Sequence, residues 1–393
     1  MDIYVTGLGL VTALGDGVDV NHEKLKAGQT GIGPSKNIEA ITKDFLVGEF
    51  ELSNKEIANK LAIPFSPQLS RTALLGLLAI DQIEKCNSSE LRTGFINGTT
   101  VGGMDRSEIY YQERVLNADN SNYNLCSMHD LGTLSNFIAK NYGGFSYINT
   151  ISTACSSSAN SIMMAARMIR SGKLDMVIAG GTDALSSFTM NGFNSLMIYD
   201  KQALRPFDNE RQGLNLGEGA GYVRLESKES IERSGNRAIA KLSGWCNAND
   251  AFHQTATSEE GIGPQLAING ALKKAKLSFE DIDYINAHGT GTNNNDQSEL
   301  RAIESVFSPL PPFSSTKSFM GHTLGASGGI EAVISVMCLQ NKACYPIINW
   351  KNQMEGFTSR PLTEYLVLDK LRNVLSNSFG FGGNASALIF SGL

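Results

Sequence analysis

Cys155 lies in a run of small residues, Ser152-Thr153-Ala154-Cys155-Ser156-Ser157-Ser158-Ala159. Asn149-Thr150-Ile151 before the run reads as a strand. After it, Ile162, Met163, Ala165, Ala166 and Ile169 recur at helical spacing, and Gly172-Lys173 has the composition of a helix stop. The cysteine is therefore expected in an elbow at a helix N-terminus. Unpaired N–H groups there favour negative charge and would lower a thiol pKa from about 8.5 towards neutral. The thiolate is the nucleophilic form, and alanine and serine neighbours leave room for a carbonyl to approach.

A nucleophile needs partners. Of the five histidines, His288 and His322 are embedded in glycine and threonine, one at a strand end and one before a helix. Strand-end loops are where α/β folds present reactive groups. The six cysteines, at 86, 126, 155, 246, 338 and 344, contain no CxxC and no metal-ligand spacing, so neither a metal nor a cofactor is expected.

The elements that must position these groups follow from composition and periodicity. A chain of 393 residues with 40 glycines, 41% hydrophobic and 18% charged, suits a compact protein of two domains or one duplicated fold. A net charge of −6 argues against general nucleic-acid binding, which needs a basic surface. Scattered cysteines point to a reducing, cytoplasmic setting. Met1–Gly7 reads as a first strand and not a signal peptide, and no stretch approaches the ~20 apolar residues of a membrane span.

In order, a strand at 3–6 runs into a glycine turn at Gly7-Leu8-Gly9, and 19–27 is helical. Residues 30–67 read as loops with short elements, and Arg71–Glu84 as a largely buried helix. A strand at 94–98 precedes a bend at Thr99–Gly103, a helix at 107–116 and an exposed polar stretch at 117–124. A strand at 174–179 is expected to turn at Gly180-Gly181-Thr182-Asp183. Residues 205–221 form a long glycine-rich loop before a strand at 222–225, and 228–235 is a helix and turn at the junction of two halves. The second half repeats the scheme: strands at 239–248 and 282–286, helices at 264–274, 296–306 and 329–340, and a closing strand at 388–390. Met168–Lys173 and Met337–Lys342 form a faint internal echo. The alternation indicates an α/β fold divided at 1–235 and 236–393.

Five blocks resemble the chain-elongating β-ketoacyl-acyl carrier protein synthases of the thiolase superfamily. They are Thr153-Ala154-Cys155, Gly217–Gly221, His288-Gly289-Thr290-Gly291-Thr292, Ser315-Thr316-Lys317-Ser318 with Gly321-His322, and Asn377–Gly383. They fall in the family's order and span nearly the whole chain. The resemblance implies a thiolase-like fold, with duplicated βαβαβαββ halves in a five-layer α-β-α-β-α sandwich. It implies an acyltransferase that condenses an acyl group on Cys155 with malonyl-acyl carrier protein by decarboxylation, in fatty-acid or polyketide/polyene-type synthesis. On that resemblance His288 and His322 each present an N–H to the developing oxyanion, supported by Lys317 and by the buried Glu331. The N–H groups of Cys155 and Phe381 make an oxyanion hole, with Phe381 also a gate. Thr290 and Thr292 bind the phosphopantetheine arm, and Val101 lines the acyl tunnel.

The implied partners are acyl- and malonyl-loaded carrier protein and a second copy in a homodimer. The alternative is the catalytic subunit of a heterodimer with a chain-length-factor-like subunit. A thiolase would need a second cysteine where Phe381 precedes Gly382-Gly383, and the initiating synthases use Cys, His and Asn. The chain departs from the family in reading Gly382-Gly383-Asn384-Ala385 where Gly-Gly-Thr-Asn is frequent. Its region before Cys155 is also shorter than in many elongating synthases, and a basic docking patch is not obvious near 55–70.

Overall fold

The computed structural model describes residues 1–37, 45–85, 90–118 and 120–393. Cys86 and parts of the 30–67 and 117–124 stretches lie outside them. Ten strands carry the fold: β1 Ile3–Thr12, β2 Thr93–Gly98, β3 Tyr147–Ile151, β4 Met176–Asp183, β5 Gly219–Ser227, β6 Ala240–Asn249, β7 Tyr284–Asn286, β8 Phe313–Ser314, β9 Asn373–Gly380 and β10 Asn384–Ser391. Six helices pack on them: α1 Arg71–Ile80, α2 Leu131–Tyr142, α3 Ser157–Arg170, α4 Ile262–Ala275, α5 Asn293–Val306 and α6 Ser327–Asn341.

The duplication is plain in the strand order. The first half runs β1-β5-β4-β2-β3 and the second β6-β10-β9-β7-β8. In each, the first two pairings are antiparallel and the last two parallel. The halves join edge to edge where Tyr4 and Val5 pair with Lys241 and Ala240. Between the two half-sheets lie α3 and α6, which touch each other and strands of both halves; α1 and α2 cover the outer face of one half-sheet, α4 and α5 that of the other. This is the five-layer α-β-α-β-α sandwich. The echoing segments at 168–173 and 337–342 turn out to be the C-terminal ends of the two central helices.

Burial dictates which helices can sit where. All ten residues of α1 are buried, and its Leu74, Leu75, Leu77, Leu78 and Ile80 each gain roughly 1.5–3 kcal/mol from leaving water. The central α6 is buried from Ser327 to Leu339. Its Gly329 lies so near the Gly221 carbonyl that a Cβ would overlap it.

That close packing corrects several expectations. Gly7-Leu8-Gly9 is not a turn: β1 continues to Thr12 with a bulge between Val5 and Gly7. A Cβ on Gly9 would overlap the Ala79 carbonyl of α1. Gly180–Asp183 likewise continues β4, and Gly219–Gly221 already belongs to β5. These glycines mark where backbone meets backbone, a use that sequence punctuation does not distinguish from a turn. The helix expected to Glu84 ends at Ile80. Helix α2, the helix Ser187–Ser195 and strand β9 had no counterpart in the sequence reading. Among the described residues no helix is long and apolar enough to cross a membrane, and the five described cysteines are free of disulfides.

Candidate active site

Cys155 stands two residues before the first residue of α3. Ala154 before it adopts φ +51°, a left-handed conformation that costs a non-glycine residue free energy and recurs at functional sites. The elbow is braced by Ser157, whose Oγ accepts from Thr153 N at 2.8 Å and donates to the Ala154 carbonyl at 2.6 Å. Gly380, ending β9, packs against it; a Cβ there would lie 3.0 Å from Cys155 N. The backbone N–H groups of Cys155 and Phe381 both favour the thiolate. Two donors from opposite halves of the chain thus act on one thiol.

His288 follows β7, and His322 precedes α6. One ligand atom from each, with the Cys155 sulfur, lies within 4.8 Å of the others, and all three residues are buried. The rings meet edge to face with centroids 5.3 Å apart. The long 205–221 loop holds one of them: His322 N donates to Asn215 O at 2.8 Å and Gly217 N to His322 O at 2.9 Å.

Hydrogen bonds set both tautomers. His322 Nδ1 accepts the Leu324 N–H at 3.0 Å. His288 Nδ1 faces Lys317 Nζ at 3.1 Å. Each imidazole therefore carries its hydrogen on Nε2. One cysteine and two histidines would also suit a metal, but a metal-binding histidine donates its other ring N–H to an acceptor. Here both second nitrogens are occupied by donors, so the pair is arranged to donate and not to hold a cation. Burial, Lys317 and the neighbouring His322 hold His288 well below the ordinary imidazole range, and burial with Lys317 does the same to His322. Both rings are neutral near pH 7.

Lys317 is buried, donates to the His288 carbonyl at 2.6 Å and pairs with Glu331 on α6. Burial pushes the Glu331 carboxyl up to about 7 against the pull of Lys317. The expected low pKa of Cys155 is corrected in the same terms. Burial pushes its thiol up to about 11, although Lys317 and the N–H of Phe381 pull the other way. The elbow is closed in by protein, and desolvation of the thiolate outweighs the donors around it.

Cys155 is the meeting point of two cavities. One, of about 260 Å³, is lined by His288, His322, Thr290, Thr292, Thr255 and Thr257. The other, of about 410 Å³, is largely apolar and lined by Val101, Met104, Phe188, Leu196 and Leu324. Phe193 and Phe381 border both, stacked at 5.9 Å between centroids. Glycines flank Phe381, and Gly382 takes φ +80°.

Three acidic groups and one aromatic ring at the site are not assigned by the sequence alone. Glu299 of α5 accepts the N–H groups of His288 and Gly289, each at 2.8 Å. Asp296, one turn earlier, accepts from Gly291 N. Two acids three residues apart at the start of a helix, just after the His-Gly-Thr-Gly-Thr turn, were a legible signal. Asp183 accepts from Thr99, Thr100, Val101 and Gly325, clamping the Val101 bend to the segment after His322. Phe193 had no signal, since its partner lies far off in the chain.

The N-terminal domain model of β-ketoacyl synthases matches residues 1–230, and the C-terminal domain model matches 239–351. The chain belongs to the β-ketoacyl synthase family. It is 33% identical to 3-oxoacyl-[acyl-carrier-protein] synthase 2 of Vibrio cholerae, over 99% of this chain and 98% of that protein. Among solved structures it resembles the ishigamide ketosynthase/chain length factor at a TM-score of 0.93 and 27% identity, over 100% of this chain and 99% of that one. It also resembles a chain of the complex of the ketosynthase ApeO with its chain length factor ApeC from Xenorhabdus doucetiae, at a TM-score of 0.87 and 31% identity. That match covers 100% of this chain and 98% of that one.

Proposed function

We propose that the chain is a β-ketoacyl-acyl carrier protein synthase catalysing a decarboxylative Claisen condensation. One observation carries the reading: a buried cysteine lies beside two neutral imidazoles, both protonated on Nε2, where a cavity lined by histidines and threonines meets a more apolar one. Cys155 Sγ attacks an acyl thioester; the new S–C bond forms, the carrier's S–C bond breaks, and the cysteine proton leaves with the carrier thiol. The acyl chain occupies the apolar cavity past Val101. Malonyl thioester then enters the histidine-lined cavity, its arm along Thr290 and Thr292. Loss of CO₂ leaves a carbanion equivalent whose thioester oxygen accepts from His288 and His322 Nε2–H. The carbanion forms a C–C bond with the acyl carbonyl, whose oxygen is held by the N–H groups of Cys155 and Phe381. The S–C bond of Cys155 breaks and the thiolate regains a proton. Lys317 and Glu331 hold His288 in its tautomer.

The chain is then an acyltransferase using carrier-bound substrates, working in a reducing, cytoplasmic setting as its scattered cysteines suggest. Residues 1–235 supply the nucleophile and 236–393 the histidines. A second reading is the catalytic subunit of a ketosynthase/chain-length-factor heterodimer. Two observations favour it: relatives of that description resemble the chain over its full length, and Tyr111, Val115, Leu116 and Tyr123 are exposed around the helix Met104–Asn117. That apolar face is available to a partner subunit, identical or not.

Incubation with acyl-carrier protein and then malonyl-carrier protein tests the reading by intact mass. The expected result is an acyl adduct on Cys155, discharged with release of CO₂ and a 3-oxoacyl-carrier product. No adduct at any acyl length, from the chain alone or with a co-expressed partner, overturns it.

A further inference from the structure

The departure Gly382-Gly383-Asn384-Ala385 has a structural counterpart. Gly380 pairs with Asn384, so Phe381–Gly383 is the turn of the β9–β10 hairpin and Asn384 is its first residue beyond the turn. Three donors converge on its amide oxygen. Ser156 Oγ lies at 2.6 Å, Asn247 Nδ2 at 2.8 Å and Asn160 Nδ2 at 3.1 Å. The amide orientations are fixed by the rest of the network: Asn247 Nδ2 also donates to Ser386, and Asn160 Oδ1 accepts from Ser386. Ser156 is the residue after Cys155, and the single hydrogen of its buried hydroxyl is shared between Asn384 Oδ1 and the Thr153 carbonyl, which lies at 2.7 Å. Asn160 sits in the first turn of α3 and donates to Thr153 Oγ1 at 2.8 Å.

The N–H groups of Cys155 and Phe381 stand on different pieces of chain, one on the elbow and one on the hairpin turn. Backbone hydrogen bonds hold each piece internally, but their relative position needs a tie. Asn384 lies three residues from one N–H and bonds to the residue adjoining the other.

We infer that Asn384 is a positioning residue for the oxyanion site: its amide oxygen latches the gate hairpin to the nucleophile elbow and keeps the two N–H donors in register. The inference rests on the synthase reading and adds to it a residue outside the reacting groups. Its signature is selective. Acyl transfer passes through a tetrahedral oxyanion and needs both donors aligned, whereas iodoacetamide displaces iodide at a saturated carbon, forms no oxyanion and feels the donors only through the thiol pKa.

The test compares Asn384→Ala and Asn384→Asp with the parent for acylation of Cys155 by an octanoyl-pantetheine thioester and for its alkylation by iodoacetamide, both read by intact mass. Asp keeps an oxygen that can accept all three donors; Ala removes it. The Ala variant should lose roughly tenfold to a hundredfold in acylation rate, the range expected for misplacement of about an ångström. Its alkylation should stay within about twofold, and the Asp variant should acylate near the parent rate. Parent-rate acylation by the Ala variant overturns the inference. So does an equal loss of acylation and alkylation, or an Asp variant as impaired as Ala, because a merely structural role predicts those. A parent that alkylates but takes no acyl group would instead sink the synthase reading, and the latch with it.

Discussion

Lys317 Nζ sits 3.1 Å from His288 Nδ1 and also donates to the carbonyl of the same residue at 2.6 Å. The lysine thereby acts on the ring from behind. It supplies the donor that leaves His288 with its hydrogen on Nε2, and its charge opposes protonation of the ring. His322 reaches the same state by another route, through the Leu324 N–H. Two different supports produce matched donors.

The half-reactions should therefore separate. Cys155→Ala should abolish acyl loading while leaving measurable decarboxylation of malonyl-carrier protein. His288→Ala should lower decarboxylation by about a hundredfold or more, the cost of one oxyanion donor. Acyl-enzyme mass and CO₂ release from labelled malonyl-carrier protein measure the two steps. If His288→Ala cannot be acylated yet decarboxylates at the parent rate, the histidine is a base for Cys155 and not a donor.

Phe381, stacked on Phe193 between the two cavities, should gate malonyl entry after acyl loading. Phe381→Ala should reduce condensation more than alkylation of Cys155 by iodoacetamide, since a small reagent needs no gate. Equal reduction of both would leave the ring as packing only.

The thiol should titrate late. With Cys155 pushed up to about 11, its alkylation rate should keep climbing beyond pH 9, by about tenfold per unit while the thiol form dominates. The pH profile of adduct formation on the Cys155 peptide checks this. A plateau near pH 7 would mean that the helix N-terminus and Lys317 outweigh burial after all.

Glu299→Gln tests the support under His288. The variant replaces one of two acceptor oxygens with an amide that faces an N–H, so decarboxylation should fall by about tenfold. Stability carries a second signature. Burial pushes the Glu299 carboxyl up to about 7, above the ~4.3 of an unfolded glutamate. The folded state therefore holds this proton more tightly than the unfolded state does. Ionisation works against folding as pH rises from ~4.3 to ~7, so the Tm advantage of the parent over the variant should shrink across that window and level off above it. An advantage that grows with pH would place the folded pKa below the unfolded one and reverse the assignment.

The sequence by itself determined the chemistry on offer and the class of fold. Local signals sufficed for the Cys155 elbow, because small residues between a strand and an amphipathic run specify that break through nearest neighbours. The His288 turn was legible for the same reason, as were the alternating strands and helices that imply layers. Tertiary structure decided whatever depends on residues distant in the chain. Gly9, Gly180 and Gly221 look like turns until the opposing backbones of α1, β5 and α6 are in place. Cys155 looks activated until the surrounding layers desolvate it, since burial is summed over all neighbours and no local window contains them. The tautomers of His288 and His322, the stack of Phe193 on Phe381, and the convergence of Ser156, Asn160 and Asn247 on Asn384 likewise arise only when two halves of the chain meet.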